Sequence, residues 1–405
     1  MKPIVRAGRM KPVHSDIRGP LFVEAMKRQK QGIDILKLNT GNPATFGFGL
    51  PDSIKNALME HMQDGVGYCD FKGMPQARQA ICDYETSKGI KGITPDDVFI
   101  GNGVSEVVSF AFTPLLNDGD EVLVPSPSYS LWGNSVYLED GKPVFYTCDE
   151  QANWYPDIQD IRSKITDKTK AIVIINPNNP TGVLYPKELL LEIIQIAREF
   201  GLLIFADEIY DRLVMDGKQH ISLASLTEDV PVITLNGLSK SHCLCGYRCG
   251  WMVISGPREL TEDYRQGIIQ LTSLRLCANT MAQIVIPAAL DDMDTPASMV
   301  RPGGRIYEQR EATVRELEKI NGLSFVKNDA AFYVFPKLDV KKFNITNDKQ
   351  FAHDLLDATN ILLVPGSGFD WKDPDHFRIV MLPQADILSD AIRRMGTFLD
   401  GYKQK

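Results

Sequence analysis

Between residues 97 and 255 short apolar runs alternate with amphipathic stretches. The runs Asp97-Val-Phe-Ile100, Glu121-Val-Leu-Val-Pro125, Lys170-Ala-Ile-Val-Ile-Ile175, Leu202-Leu-Ile-Phe-Ala206, Pro231-Val-Ile-Thr-Leu235 and Trp251-Met-Val-Ile254 are strand-length and bounded by turn residues, so they read as buried strands. Pro186 to Phe200 is the clearest helix, with Leu189, Leu190, Ile193, Ile194 and Ala197 on one face, a proline at its start and Gly201 at its stop. A second amphipathic helix is expected from Gln76 to Lys88. Strands alternating with helices predict a mostly parallel sheet covered on both sides, the core of an α/β domain spanning 51–290. After about 290 the pattern changes. Asp291-Asp-Met-Asp-Thr-Pro296 is a polar break, a polar helix follows from roughly 303 to 320, and Ala331-Phe-Tyr-Val-Phe335, Ile361-Leu-Leu-Val-Pro365 and His376-Phe-Arg378-Ile-Val-Met-Leu382 read as strands. With residues 1–50, where a helix over 15–32 has Asp16 as its cap and Gly32 as its stop, this tail predicts a smaller α+β domain.

The candidate chemistry lies at the ends of these strands. Asn236 to Trp251 places one lysine, Lys240, on a small-residue turn between two core strands, with Arg248 eight positions on. Asp207 and Tyr210 end another strand, where open α/β sheets carry their ligand groups. The strand beginning at Asp97 runs through Gly101-Asn-Gly103 into a helix whose first amides, at Gly103, Val104 and Ser105, suit a phosphate. A dinucleotide-binding reading of that turn fails in two places: Glu106 stands at the third glycine position, and Asp120 and Glu121 precede the next strand rather than ending it. Asn176-Pro-Asn-Asn179-Pro-Thr-Gly182 is a turn on any reading. Arg378 in an apolar run needs a partner for its charge.

These motifs, in this order and across essentially the whole chain, resemble the class I/II aminotransferases of fold type I, which use pyridoxal 5′-phosphate. The resemblance implies a three-layer α/β/α large domain and assigns a role to each residue. Lys240 forms the Schiff base with the cofactor aldehyde and moves the proton between substrate and cofactor. Asp207 pairs with the pyridine nitrogen, Tyr129 stacks on the ring, and Asn179 and Tyr210 donate to the phenolic oxygen. Gly103, Val104, Ser105, Ser239 and Arg248 hold the phosphate, with Tyr68 reaching it from the neighbouring subunit of a homodimer. Gly41, Asn179 and Arg378 meet the substrate carboxylate. The chemistry suits these types: an amine makes an imine once it loses its proton, a carboxylate keeps the pyridinium charged, and a guanidinium grips a carboxylate with two bonds. Pairing with the pyridinium should lower the pKa of Asp207 by about 1–3. The closest likeness is to bacterial glutamate–pyruvate (alanine) aminotransferases; Asp16-Ile-Arg18-Gly-Pro20 resembles theirs, which makes Arg18 the candidate second carboxylate binder for glutamate. Cys243 and Cys249 stand where the family usually has small aliphatic residues. The implied reaction is ping-pong exchange between an amino acid and a 2-oxo acid, most readily L-alanine with 2-oxoglutarate. A β-lyase on the same fold, or an aminotransferase for another small aliphatic or aromatic amino acid, shares nearly all of these residues.

Composition narrows the setting. A net charge of −8 argues against nucleic acid or an anionic membrane as partner. The first twelve residues lack the apolar core of a secretory signal, and no window approaches a membrane span. Seven cysteines without framework spacing fit reduced thiols, hence a cytoplasmic enzyme. His242-Cys243-Leu-Cys245 is at most half a metal site, so no metal is expected.

Overall fold

The computed structural model describes residues 2–405. Its centre is an eight-stranded sheet of β1 (Val98–Asn102), β2 (Glu121–Ser126), β3 (Lys142–Asp149), β4 (Tyr155–Pro156), β5 (Thr169–Ile175), β6 (Leu203–Asp207), β7 (Val232–Gly237) and β8 (Cys249–Ser255), in the order β1-β8-β7-β6-β5-β2-β3-β4. Five neighbouring strands, from β7 to β3, run parallel; β8 is antiparallel to both β1 and β7, and β4 is antiparallel to β3. Both faces are covered, which is why the strands read as continuous apolar runs. Along β5, Ala171, Val173 and Ile175 face one core with Phe205 and Ile233, while Ile172 and Ile174 face the other with Leu123 and Ile204.

Helix α5 (Lys187–Phe200) closes the second core. It buries the five predicted residues and Ile196 as well, and it stops at Gly201 with φ +65°. Each such fully buried aliphatic side chain stabilises the domain by about 1.5–3 kcal/mol. The first core is covered by α3 (Val104–Phe112) and α7 (Arg258–Arg275), and α2 (Pro75–Ser87) and α4 (Leu131–Leu138) flank the sheet. The strand order reverses its sense between β5 and β2. Their C-terminal loops therefore diverge and leave a crevice at that point.

A separate core joins Leu38, Val334, Phe351, Phe377, Ile379 and the apolar face of α9 (Ala385–Asp400). Here β9 (Tyr333–Val334), β10 (Val364–Pro365) and β11 (Phe377–Val380) form an antiparallel trio in the order β9-β11-β10, and Leu36–Lys37 pairs with Ile361–Leu362.

Two expectations are corrected. The first helix, α1 (Pro20–Lys30), starts at a proline with Gly19 as its cap residue and no side-chain cap; Asp16 instead lies in a preceding 3-10 turn, ion-paired with His14 and Lys349. The apolar run 331–335 is cut to two paired residues because Ala331 has φ +59°. The polar helix expected in the tail is present as α8 (Arg305–Leu317); it is mostly buried, and its enclosed Arg310 forms a two-armed pair with Asp216 at 2.6 and 2.7 Å.

Candidate active site

Asp207 ends β6, paired in register with Ile175 of β5 and Leu235 of β7, so its carboxylate emerges beside the crevice. It is buried and accepts from Trp132 Nε1 at 3.1 Å and from the Ile209 amide at 3.3 Å. Burial pushes it up to about 6, more than these two donors offset. Sequence reasoning expects the opposite direction because it counts the charge of a pyridinium, which belongs to the cofactor and not to the chain.

Lys240 follows one strand over. After β7 the chain makes a single turn, α6 (Leu238–Ser241), and returns along β8 through Cys243 and Arg248, both in the left-handed region at φ +60° and +57°. Two such residues within one connection are uncommon and mark a turn held by its surroundings. Lys240 Nζ donates to the Gly41 carbonyl at 2.9 Å. Burial acts to lower its pKa, but the Tyr333, Cys245 and Tyr129 side chains more than compensate, and the amine sits above its ordinary value.

Arg248 reaches across to the start of α3. Its guanidinium, which donates to the Cys245 carbonyl at 3.0 Å, lies so close to Gly103 that any Cβ there would collide with it. Gly103, at φ +85°, turns the chain so that Val104 and Ser105 open the helix beneath it. Packing requires glycine at Gly250 of β8 too, where a Cβ would strike the Val104 amide. A cation above a helix N-terminus is a ready anion site.

The crevice is flanked by Tyr129, after β2, and by the Asn176–Gly182 loop, after β5, which is buried throughout. Asn179 Oδ1 accepts from an Arg378 guanidinium nitrogen at 2.9 Å, and the Asn39 carbonyl accepts from the other. Arg378 is 1% exposed, with its guanidinium between the rings of Tyr333 and Phe369, 4.6 Å from each centroid. Among the described residues its hydrogen-bond partners are the Asn179 amide oxygen and the Asn39 carbonyl rather than a carboxylate, and its Nε has no acceptor. Burial lowers its pKa. A buried guanidinium of this kind invites an anion.

The structure thus brings Lys240 to Gly41, Arg378 to Asn179 and Arg248 to Gly103 and the helix opened by Val104 and Ser105, with Asp207, Tyr129 and Tyr210 within electrostatic reach of Lys240 or Arg378 and Ser239 next to Lys240 in the chain. It does not bring Tyr68 there within one chain: Tyr68 is 84% exposed. Arg18 is also exposed, although Asn39 Nδ2 donates to the adjacent Ile17 carbonyl at 2.8 Å and so ties that turn to Arg378.

Sequence reasoning missed four groups. Trp132 donates to Asp207; its position three residues beyond Tyr129 was the available signal. Tyr333, read only as part of a strand, meets Tyr210 hydroxyl to hydroxyl at 2.9 Å. Asn39 bridges Arg378 and Ile17. Lys88, at the end of α2, is surrounded by Glu85, Glu208 and Asp211 at 2.7, 2.7 and 3.2 Å, and Asn236 donates to Asp211 at 2.7 Å. Burial pushes Glu85 up to about 7. Glu208, Asp211 and His220 have metal-like spacing, but the Lys88 ammonium already meets both carboxylates. The cluster locks the turn after β6 to the end of β7, and so fixes Asp207 relative to Lys240.

The donor set fits pyridoxal phosphate: an amine for the aldehyde, a buried carboxylate for the ring nitrogen, a cation over helix amides for the phosphate, and a buried guanidinium without an anionic partner for a substrate carboxylate. Comparison with known proteins agrees. Residues 33–392 match the family model for aminotransferase class I and II. The chain is 50% identical to the glutamate-pyruvate aminotransferase AlaA of Haemophilus influenzae over the full length of both. It superposes on the crystal structure of an aminotransferase from Escherichia coli with a TM-score of 0.98 at 47% identity, all of both chains covered. The alanine aminotransferase of Pyrococcus furiosus aligns with a TM-score of 0.93 at 41% identity, over 98% of this chain and 100% of that one.

Proposed function

Because the chain belongs to the class I and II aminotransferases, and is a pyridoxal-phosphate-dependent enzyme of fold type I, we propose that it exchanges amino groups between L-alanine and 2-oxoglutarate, giving pyruvate and L-glutamate. The observation that carries the site assignment is Arg378, enclosed, without an anion of its own, and bonded to Asn179 at one side of the cleft that holds Lys240. The choice of alanine and glutamate is supported by the names of the relatives above.

The bound cofactor supplies an electron sink for the bond broken at the substrate α-carbon. The chain does the rest. Arg378 and Asn179 take the α-carboxylate, which sets the amino group toward Lys240. Asp207 holds the ring nitrogen in its charged form. Lys240 Nζ would take the proton from the substrate α-carbon as general base and return it as general acid. Tyr129 supplies a flat face for the ring, and Tyr210 and Asn179 donate to its phenolic oxygen. Arg248, Ser239 and the amides of Gly103, Val104 and Ser105 hold the phosphate. Arg18, which follows the Ile17 carbonyl bonded by Asn39, would meet the second carboxylate of glutamate.

The proposal includes a division into a cofactor domain, 51–290, and a second unit of 1–50 with 291–405; the separate core around Leu38, Phe377 and α9 supports it. It also includes a homodimer in which Tyr68 completes the partner's phosphate site, and a cytoplasmic location. Seven free thiols support that location, and no single helix is long and apolar enough to cross a membrane.

The test is a visible spectrum of the purified holoenzyme. Glutamate should shift the cofactor's absorbance, and pyruvate added next should restore it. Release of pyruvate and ammonia from an amino acid without a 2-oxo acid acceptor would select a β-lyase and end this reading.

A further inference from the structure

Tyr333 is absent from the roles above, yet it sits at their meeting point. Its hydroxyl lies 2.9 Å from that of Tyr210, and its ring carries the Arg378 guanidinium at 4.6 Å. A methyl group at Gly41, whose carbonyl accepts from Lys240, would collide with the Tyr333 hydroxyl. Tyr333 is 2% exposed, so neither phenol draws on bulk water.

We propose that Tyr333 is a positioning residue that fixes Tyr210 as a donor to the cofactor's phenolic oxygen. The inference rests on the functional reading above and deepens it. Each phenol has one hydrogen. If Tyr210 spends its hydrogen on the cofactor, the 2.9 Å bond between the two hydroxyls must be donated by Tyr333. A phenol that accepts a hydrogen bond becomes a better donor, so the pair acts as a short polarised chain ending on the cofactor. The Tyr333 ring also carries Arg378, which links the group gripping the substrate to the group tuning the cofactor.

The charged and titratable groups around the pair are Lys240, Arg378, Tyr129, Asp207 and Cys245. Arg378 stays charged, and Asp207 is compensated by the ring nitrogen, so neither moves between the parent enzyme and a Tyr333→Phe variant. Removing the Tyr333 hydroxyl weakens donation to the phenolic oxygen. The proton shared by that oxygen and the imine nitrogen is then held more tightly.

The experiment is a pH titration of the cofactor's absorbance in the holoenzyme, for Tyr333→Phe, Tyr210→Phe and the double variant. Tyr333→Phe should raise the midpoint by about half to one pH unit, the weight of one hydrogen bond. It should lower kcat about 2- to 10-fold with KM within about twofold, because the ring under Arg378 is retained. The double variant should add nothing to Tyr210→Phe, since Tyr333 acts only through Tyr210. An unmoved midpoint in Tyr333→Phe with a raised one in Tyr210→Phe overturns this inference alone, as does an additive double variant. A protein that carries no cofactor absorbance, or a Tyr210→Phe midpoint that does not move, overturns the functional reading beneath it.

Discussion

Asp207 is where folding and function pull in opposite directions. Its carboxyl titrates near 6 in the fold against an ordinary 3.8, because burial disfavours the charge. The folded state therefore binds the proton more tightly than the unfolded chain does. Relative stability is highest below 3.8, falls as the pH rises through 6, and above that carries a penalty of about 3 kcal/mol in the cofactor-free protein. Asp207→Asn should thus stabilise the apoprotein at pH 8 by up to about 3 kcal/mol, with the gain vanishing below the ordinary carboxylate range. Pyridoxal phosphate should reverse the ranking, since only the carboxylate pairs with a charged ring nitrogen. Denaturant unfolding of both proteins at acid and mildly alkaline pH, with and without cofactor, checks this. Asp207, Lys240 and Arg378 were visible in the sequence because each is a charged group in or beside an apolar run. Trp132 and Tyr333 were not: their partners lie 75 and 123 residues away, and nothing in a local pattern says which aromatic will meet which acid or phenol.

At the scale of elements, the sheet was legible for a physical reason. Strands buried on both faces become unbroken apolar runs, and α5 shows its buried stripe, its proline start and its glycine stop without ambiguity. The crevice between the β2 and β5 loops follows from strand order, which the chain does not display, yet its two walls were recognisable as Tyr129 and the Asn176–Gly182 loop. The tail was harder. Helix α8 carries so many polar residues that its burial is hidden until Arg310 is seen paired with Asp216. The run 331–335 is apolar enough for a strand, but the left-handed Ala331 breaks it. Asp16 followed the pattern of a helix cap, yet the proline at the helix start left the carboxylate to His14 and Lys349.

Across the whole molecule, the cleft is bridged by the N-terminal segment. The Asn134 side chain bonds the backbone of His14 at 3.1 and 2.6 Å, and the His14 ring meets Asp370 at 3.0 Å. Asp16 and then Asp370 raise the pKa of His14 to about 9, so the clasp is charged at neutral pH and holds the segment whose Ile17 carbonyl is bonded by Asn39. Elsewhere on the surface, Tyr68 is 84% exposed. If Tyr68 serves the partner's cofactor, a mixture of Tyr68→Ala and Lys240→Ala chains should form heterodimers with one intact site. Each parent should be weak or inactive, and activity should appear on mixing after subunit exchange. Activity no greater than the sum of the two parents would place Tyr68 outside the catalytic assembly.

Each of these statements depends on a covalent attachment at Lys240. Borohydride reduction of the holoenzyme followed by peptide mapping reads it directly. The phosphopyridoxyl mass should appear on the peptide that contains Lys240 and on no other, and Lys240→Ala should lose both the adduct and turnover. An adduct on a different lysine, or a Lys240→Ala enzyme that transaminates at the parent rate, would contradict the account.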